Sequence, residues 1–180
     1  MKMIRTRFAP SPTGMVHVGN LRTALFSYLY AKRMGGIFML RIEDTDRERL
    51  VEGAVENLLS TLAWTGILPD EGVVGSQNGK SVFKGAESSY IQSERLDIYK
   101  KYIQILLDNG HAYYAFDTKE ELDEMRKRQE LNKQATRYER ASMKNQFTIG
   151  EVETKRLMDS GVPYVIRMKV PEEGTTSFND

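Results

Sequence analysis

The first 42 residues alternate two short apolar runs with one helical pattern, and this alternation restricts the fold more than any other feature of the chain. Residues 4–9 predict a strand that two prolines end, because proline lacks an N–H group and favours extended geometry before it. From Val18 onward, apolar residues recur at intervals of three and four, which predicts a helix. Residues 37–42 are apolar on both faces, as in a buried parallel strand. This order of elements predicts the crossover unit of a doubly wound parallel sheet.

The middle of the chain predicts two more helices with a loop between them. Residues 54–66 show helical spacing of apolar residues, and Trp64 near the end of this helix is interpreted as a core residue. Residues 68–90 are rich in glycine and serine and have no period, which predicts a loop. A third helix is predicted over residues 94–108, with Ser93 as its N-cap.

A domain boundary is predicted near residue 110, where alternating strands and helices give way to a smaller α+β segment. Two apolar runs and two capping boxes mark this segment. The runs are HAYYAF and PYVIRMKV, and the capping boxes pair Thr118 with Glu121 and Thr148 with Glu151. The predicted fold is therefore α/β. Residues 1–110 form the first half of a Rossmann-like, doubly wound parallel sheet, and residues 111–180 belong to the smaller α+β unit.

The composition excludes several classes of protein. Lysine and arginine number 26 against 25 aspartate and glutamate residues, so the chain as a whole has no strongly basic surface. The lack of cysteine excludes disulfides and thiolate zinc sites, and only two histidines are present. No apolar run approaches the ~18 residues that span a bilayer, and the N-terminus becomes charged too early for a secretory signal. These features predict a cytoplasmic protein without membrane contact.

The loop RFAPSPTGMVHVGN, residues 7–20, lies where the first predicted strand ends and the first predicted helix begins. Open parallel sheets bind ligands at such places. Gly19 lets the backbone come close to a ligand, and the free N–H groups of a first helical turn favour anions. His17 and Asn20 add side-chain donors. An isolated His-x-Gly is typical of a tight turn, but at this position in the sheet the loop predicts a phosphate site.

Two opposite charges are predicted beside this loop. Arg7 lies at the end of the first strand and Glu43 at the end of its neighbour, so both side chains are expected to face one crevice. Either residue alone is typical of a solvated surface charge. Together they suit a zwitterion, since a guanidinium can bind a carboxylate through two hydrogen bonds and a carboxylate can receive an ammonium group.

Five segments carry a resemblance to a known family, and they extend over nearly the whole chain. The segments are RFAPSPTG (7–14), HVGN (17–20), RIEDTDR (41–47), QSER (92–95) and PYVIR (163–167). They resemble the N-terminal half of class I aminoacyl-tRNA synthetases, and specifically the glutamyl-tRNA synthetases. The related glutaminyl enzymes carry a Pro-x-Pro-Asn-Gly loop instead.

The resemblance implies two sets of site residues. Residues 10–20 correspond to the ATP-binding signature of the family, within which His17, Gly19 and Asn20 are implied to be catalytic. Asn20 stands where the family pattern has a second histidine. The residues implied to bind ATP are Pro10, Thr13, Gly14, His17, Gly19 and Asn20, and those implied to bind glutamate are Arg7, Ala9, Ser11 and Glu43.

The function implied by the resemblance is that of a glutamate–tRNA ligase. The α-carboxylate of L-glutamate attacks the α-phosphorus of ATP with the help of Mg²⁺, and the glutamyl group then passes to the 3′ end of tRNA(Glu). Arg7 is implied to hold the side-chain carboxylate of glutamate, and Glu43 its amino group. Residues 111–180 are implied to begin a connective insertion that binds the tRNA acceptor end. A monomer without protein-bound zinc or another resident metal is expected.

Two parts of the family pattern are missing from this sequence. The second phosphate loop, of Lys-Met-Ser-Lys-Ser type, has only a partial match in Ser142, Met143 and Lys144. The second half of the nucleotide-binding sheet has no counterpart. The chain is therefore expected to be an N-terminal fragment that is inactive alone.

Some features of the sequence also suit other functions. A non-catalytic module that binds nucleotide or RNA stays open, as does a glutamyl-queuosine tRNA synthetase paralogue, although those relatives usually carry a cysteine-rich zinc site. GSQNGKS, residues 75–81, has its glycines one residue too close for a P-loop. Residues 125–144 hold seven basic residues against two glutamates, which is typical of a solvated helix face and, given the resemblance, also suits RNA phosphates.

Overall fold

The chain folds into two compact units in a computed structural model, which describes residues 3–77, 80–87 and 89–179. The units are Met1–Asp97 and Ile98–Asp180. The division falls before the predicted boundary near residue 110. The assignment of residues 111–180 as the start of a connective insertion stays a prediction.

The first unit contains a four-stranded sheet. Its elements are β1 (Arg5–Phe8), α1 (Val18–Arg33), β2 (Ile37–Leu40), α2 (Ala54–Trp64), β3 (Glu71–Gln77) and β4 (Lys80–Lys84), with a 3-10 turn at Arg47–Arg49. The strand order is β1-β2-β3-β4; the first three strands are parallel, and β4 runs antiparallel to β3. The predicted crossover unit and the Rossmann-like fold class are confirmed.

Alternation along β1 separates the core from the opposite face of the sheet. Phe8 is buried and Thr6 is half-buried, and the hydroxyl of Thr6 donates a 2.9 Å hydrogen bond to the backbone oxygen of Ser27 in α1. Arg5 and Arg7 alternate with them and are exposed. The core of this unit is Phe8, Ala24, Ala31, Phe38, Leu40, Ile42, Leu58, Leu62, Ile67, Val73 and Tyr90. Both arginines are therefore directed away from the apolar core.

The prediction of a loop over residues 68–90 is wrong, since β3 and β4 form a hairpin there. One of the glycines that suggest a loop, Gly72, allows a close approach of two backbones. Gly72 has a φ of 105°, and a Cβ added to it would lie 1.9 Å from the carbonyl oxygen of Leu40 on the neighbouring strand. Another irregularity, a register shift between Val73 and Gly75, interrupts the alternation that normally reveals a strand. The tip, residues 78 and 79, lies outside the described residues.

The interpretation of Trp64 as a core residue is also wrong, because its side chain is 85% exposed. Ala54, Leu58 and Leu62 form the buried side of α2 at intervals of four. Successive helical residues turn by about 100°, so Trp64, two positions beyond Leu62, lies on the opposite side of the helix.

The second unit combines helices with a two-stranded antiparallel sheet. Helix α3 (Leu96–Asp108) begins in the first unit, after a 3-10 turn at Gln92–Arg95. The elements that follow it are β5 (Ala112–Ala115), α4 (Lys119–Leu131), α5 (Gln146–Asp159) and β6 (Val165–Met168). Strands β5 and β6 pair with each other. None of the helices in the described ranges is long and apolar enough to cross a membrane.

One of the two predicted capping boxes forms. Thr118 caps α4 together with Glu121. The predicted box of Thr148 and Glu151 is wrong, because Asn145 caps α5 and Thr148 occupies the third helical position. Asn145 is fully buried, and its amide nitrogen donates hydrogen bonds of 2.7 and 2.8 Å to the backbone oxygens of Arg140 and Met143. These extra bonds favour the asparagine as the cap.

Candidate active site

The first turn of α1 is organised by His17. Its Nδ1 accepts a 3.1 Å hydrogen bond from the backbone N–H of Gly19, and the Asn20 side-chain oxygen accepts a 3.3 Å hydrogen bond from the backbone N–H of His17. The pair forms a capping box. Because Nδ1 accepts, the neutral imidazole carries its proton on Nε2. His17 thus keeps one ring N–H as a donor, and Asn20 keeps its amide NH₂.

This turn is open to solvent. His17 and Gly19 are exposed, and the side chain of Val18 is 83% exposed. Within the described part of the chain, no apolar layer therefore covers the N-terminal end of the helix. An anion can approach the backbone N–H groups and the positive end of the helix dipole.

Gly19 is required by the position of the His17 ring. A Cβ at residue 19 would lie 2.9 Å from Cε1 and 3.0 Å from Nδ1 of that ring. Both distances are too short for undisturbed contact, so a side chain there would displace the histidine from its capping position.

We expect Gly19→Ala to leave stability nearly unchanged in the natural background and to raise it in a His17→Ala background. Alanine in place of helical glycine gains about 1 kcal/mol, and loss of the cap costs a similar amount, so the two effects cancel when His17 is present. Without His17 only the gain remains. Urea denaturation measures the stability of the natural chain, the two single variants and the double variant. If Gly19→Ala changed stability equally with and without His17, the clash between a Cβ at residue 19 and the His17 ring would be contradicted.

The loop before α1 is packed from below. A cavity of 30 Å³ under it has room for a water molecule but not for a nucleotide. Its lining is Pro10, Ser11, Pro12, Gly14, Val16, Asn20, Ile42, Ala54 and Leu58. The structure thus brings together four of the predicted residues, Pro10, Ser11, Gly14 and Asn20. A nucleotide on this loop has to bind from the solvent side.

Ala9 and Thr13, which also belong to the loop before α1, do not line this cavity. Ala9 and Thr13 are half-buried and Ser11 is exposed. The backbone oxygen of Ser11 accepts a 2.9 Å hydrogen bond from the N–H of Thr13, which makes a tight turn. Along the chain, Ala9 and Ser11 lie between Arg7 and the first helical turn.

The predicted charged pair lies at two neighbouring strand ends. The backbone N–H of Glu43 donates a 3.0 Å hydrogen bond to the Pro10 oxygen, so the two loops that follow β1 and β2 are joined. The carboxylate of Glu43 is half-buried and forms an ion pair with Arg41. Arg7 is exposed and makes no ion pair with any described residue. The expectation that Arg7 and Glu43 face one ligand stays a prediction.

A third segment joins this site, and the only role that the sequence pattern predicts for its Ser93 is that of a helix cap. The carboxylate of Asp44 accepts two hydrogen bonds from Ser93, one of 2.9 Å from its backbone N–H and one of 2.6 Å from its hydroxyl. The prediction that Ser93 caps α3 is therefore wrong, because its hydroxyl is used by the loop after β2. The signal in the sequence that could have suggested a partner such as Ser93 is the presence of further carboxylates directly after Glu43.

The same segment is anchored to β3 by a buried network. The carboxylate of Glu71 is largely buried; it pairs with Arg5 and accepts a 2.7 Å hydrogen bond from the Tyr90 hydroxyl. Burial raises the pKa of that hydroxyl, and the hydrogen bond to Glu71 raises it further. Tyr90 is thus a neutral donor that holds residues 89–95 against the sheet.

The second unit contains a cavity of 620 Å³. Among its lining residues, the Arg167 guanidinium lies 3.8 Å from the centre of the Tyr138 ring, and Arg140 pairs with Glu172 at 2.8 Å. Burial raises the pKa of the Tyr138 hydroxyl, and its hydrogen bond to Asp117 raises it further. The cavity therefore combines aromatic rings with guanidinium groups.

The basic segment 125–144 is partly neutralised by its own neighbours. Arg126 pairs with Asp123 at 2.8 Å and Arg128 with Glu139 at 2.6 Å. The hydroxyl of Ser142 donates to Glu139, so the Ser142–Lys144 stretch is not an open phosphate loop. Likewise, the described part of GSQNGKS lies in β3 and β4, and no helix begins there.

Comparison with known proteins gives a consistent result. Residues 3–180 match the family described as tRNA synthetases class I (E and Q), catalytic domain. The glutamate–tRNA ligase of Clostridioides difficile is 51% identical over 177 residues, which are 98% of this chain and 35% of that protein. The glutamate–tRNA ligase of Chlorobaculum parvum is 50% identical over 179 residues, 98% of this chain and 34% of that protein.

Solved structures give the same picture. A glutamate tRNA ligase from Elizabethkingia meningosepticum, in complex with its amino acid, superposes with a TM-score of 0.81 at 44% identity over 94% of this chain and 33% of that one. The glutamate-tRNA synthetase of Elizabethkingia anophelis gives a TM-score of 0.85 at 42% identity over 99% of this chain and 35% of that one. The chain spans about a third of the length of these relatives.

Proposed function

Because the chain belongs to the class I tRNA synthetase family for glutamate and glutamine, within its catalytic domain, we propose that it supplies the glutamate- and ATP-binding part of a glutamate–tRNA ligase. The observation that supports this most is the open first turn of α1. His17 caps this turn, and the Glu43 loop is joined to the preceding loop through the Pro10 oxygen. An anion site and a carboxylate thus share one edge of the sheet.

The proposed roles follow from charge and position. ATP, with Mg²⁺ as part of the substrate, binds with its phosphates at the N-terminal end of α1, near the Nε2–H of His17 and the amide of Asn20. Arg7 binds the side-chain carboxylate of glutamate through two hydrogen bonds. Glu43 receives the ammonium group of glutamate. This contact replaces part of the ion pair between Glu43 and Arg41.

The reaction requires the protein to align the two substrates and to stabilise the developing negative charge. The α-carboxylate attacks the α-phosphorus in line, and negative charge builds up on the departing pyrophosphate. Donors fixed beforehand, such as the His17 ring and the helix N-terminus, stabilise that charge without reorganisation. No nucleophilic side chain is needed. The tRNA acceptor end is the proposed partner of residues 111–180, where basic side chains and the larger cavity lie.

A chimera tests this function. This chain replaces the matching N-terminal third of the Clostridioides difficile relative, and ATP–pyrophosphate exchange is measured with L-glutamate in the presence of tRNA(Glu). We expect glutamate-dependent exchange, with little exchange when neutral glutamine is the substrate. The relative itself and a Glu43→Gln chimera are the controls.

The alternative of a non-catalytic module predicts a different outcome. The isolated chain would then bind ATP or RNA, while a folded chimera would show no exchange with any amino acid. That result would overturn the ligase proposal. Formation of glutamyl-tRNA by the chimera would overturn the alternative.

A further inference from the structure

We propose that Ser93 is a positioning residue that acts through Asp44 to hold Glu43 in place for the ammonium group of glutamate. The inference rests on the proposed function of Glu43. Residues 89–95 form a strap that passes beside the end of β2.

Backbone hydrogen bonds first fix the residue before Glu43. The N–H of Ile42 donates a 3.0 Å hydrogen bond to the Tyr90 oxygen, and the Ile42 oxygen accepts a 2.9 Å hydrogen bond from the N–H of Gln92. Ile42 and Ile91 form an isolated parallel bridge. The strap therefore continues the sheet beyond the end of β2.

The residue after Glu43 is fixed by the strap as well. Both oxygens of the Asp44 carboxylate are engaged by Ser93, at 2.9 and 2.6 Å. Glu43 thus lies between two residues that the strap holds, and its own N–H is bonded to the Pro10 oxygen. This leaves its side chain as the part that is free to exchange partners between Arg41 and a ligand.

The strap is rigid enough to serve this purpose. Tyr90 is 1% exposed and is bonded to Glu71, and the Arg95 side chain donates a 2.8 Å hydrogen bond to the Ser89 oxygen. Ser89 in turn accepts a 3.0 Å hydrogen bond from the N–H of Ile91 through its hydroxyl. Loss of one hydroxyl at Ser93 therefore loosens the Asp44 loop without unfolding the strap.

The kinetic test uses the chimera described above. A hydrogen bond to a charged group corresponds to about a tenfold change in an equilibrium, so Ser93→Ala should raise the KM for glutamate about tenfold. The KM for ATP and kcat should change less than twofold. Ser93→Thr, which keeps the hydroxyl, should restore the KM. Ser60→Ala, which removes a hydroxyl from the surface of α2, is the matched control.

A double variant tests the route through Asp44. In an Asp44→Ala background, Ser93→Ala should have no further effect on the KM for glutamate, because its partner is already gone. Additive effects would overturn the inference. So would an equal rise in the KM for ATP, or an unchanged KM for glutamate.

A measurement on the isolated chain separates this inference from the proposed function. Amide hydrogen exchange at Glu43 should be about tenfold faster in Ser93→Ala, because local opening of the loop then needs less free energy. Exchange at Leu62 in α2 should not change. An unchanged rate of amide hydrogen exchange at Glu43 would overturn the positioning role. A chimera without glutamate-dependent ATP–pyrophosphate exchange would instead count against the proposed function.

Discussion

Alanine in place of Gly72 is expected to lower the free energy of unfolding by about 4 kcal/mol, because backbone strain and overpacking each cost roughly 1–3 kcal/mol. Gly72 has a positive φ of 105°, which residues with a Cβ rarely adopt, and its added Cβ would lie 1.9 Å from the Leu40 oxygen. Leu40 is fully buried in β2 and cannot move aside. Such a loss would remove much of the 5–15 kcal/mol typical of a folded domain.

Gly75→Ala is the matched control in the same strand. A Cβ there would meet only the Cβ of Val82, at an ordinary 3.9 Å. We expect a change within about 1 kcal/mol, since a glycine with ordinary backbone geometry gains slightly from alanine. Denaturation in urea, followed by circular dichroism, measures both variants. Similar losses of stability in Gly72→Ala and Gly75→Ala would show that Gly72 is not needed for the close approach of β2 and β3.

Arg7→Gln is expected to lower kcat/KM for glutamate about a hundredfold or more in the chimera, because a two-point, charge-assisted contact is worth roughly 3 kcal/mol. Arg7→Lys should fall between the two, since an ammonium group keeps the charge but loses the planar pair of donors. Stability should hardly change, because Arg7 is exposed and pairs with no described residue.

Arg33→Gln provides the control for charge alone. Arg33 is exposed in the last turn of α1 and lies outside the proposed glutamate site. Its loss should leave kcat/KM for glutamate within about twofold, because exposed charges away from a site are screened by solvent. Equal losses at residues 7 and 33 would mean that net charge, rather than a specific contact, controls glutamate binding.

The crossover unit could be predicted because its signals are local. The strand before the prolines, the helical spacing after Val18 and the apolar run before Arg41 each depend on neighbours in sequence. The hairpin of β3 and β4 could not be predicted in this way. Its glycines are explained only by the approach of Leu40 and by the irregular register near Gly75, which are tertiary features.

The candidate site shows the same division. His17, Gly19 and Asn20 lie within four residues and are joined by hydrogen bonds, so their closeness at the start of α1 could be predicted from spacing, whereas their roles stay a prediction. Asp44 and Ser93 are 49 residues apart and meet only because the strap extends the sheet beside β2. A serine before a predicted helix suggests a cap, and only the fold reveals that its hydroxyl is engaged elsewhere.

The position of Trp64 determines which spectroscopic signals can report on this chain. It is the single tryptophan, and the residue is already 85% exposed to solvent in the folded state. Its emission should therefore shift little on unfolding, which makes intrinsic fluorescence a poor probe of stability here. The same ring should respond strongly, with a shift to shorter wavelength, to any molecule that covers the end of α2.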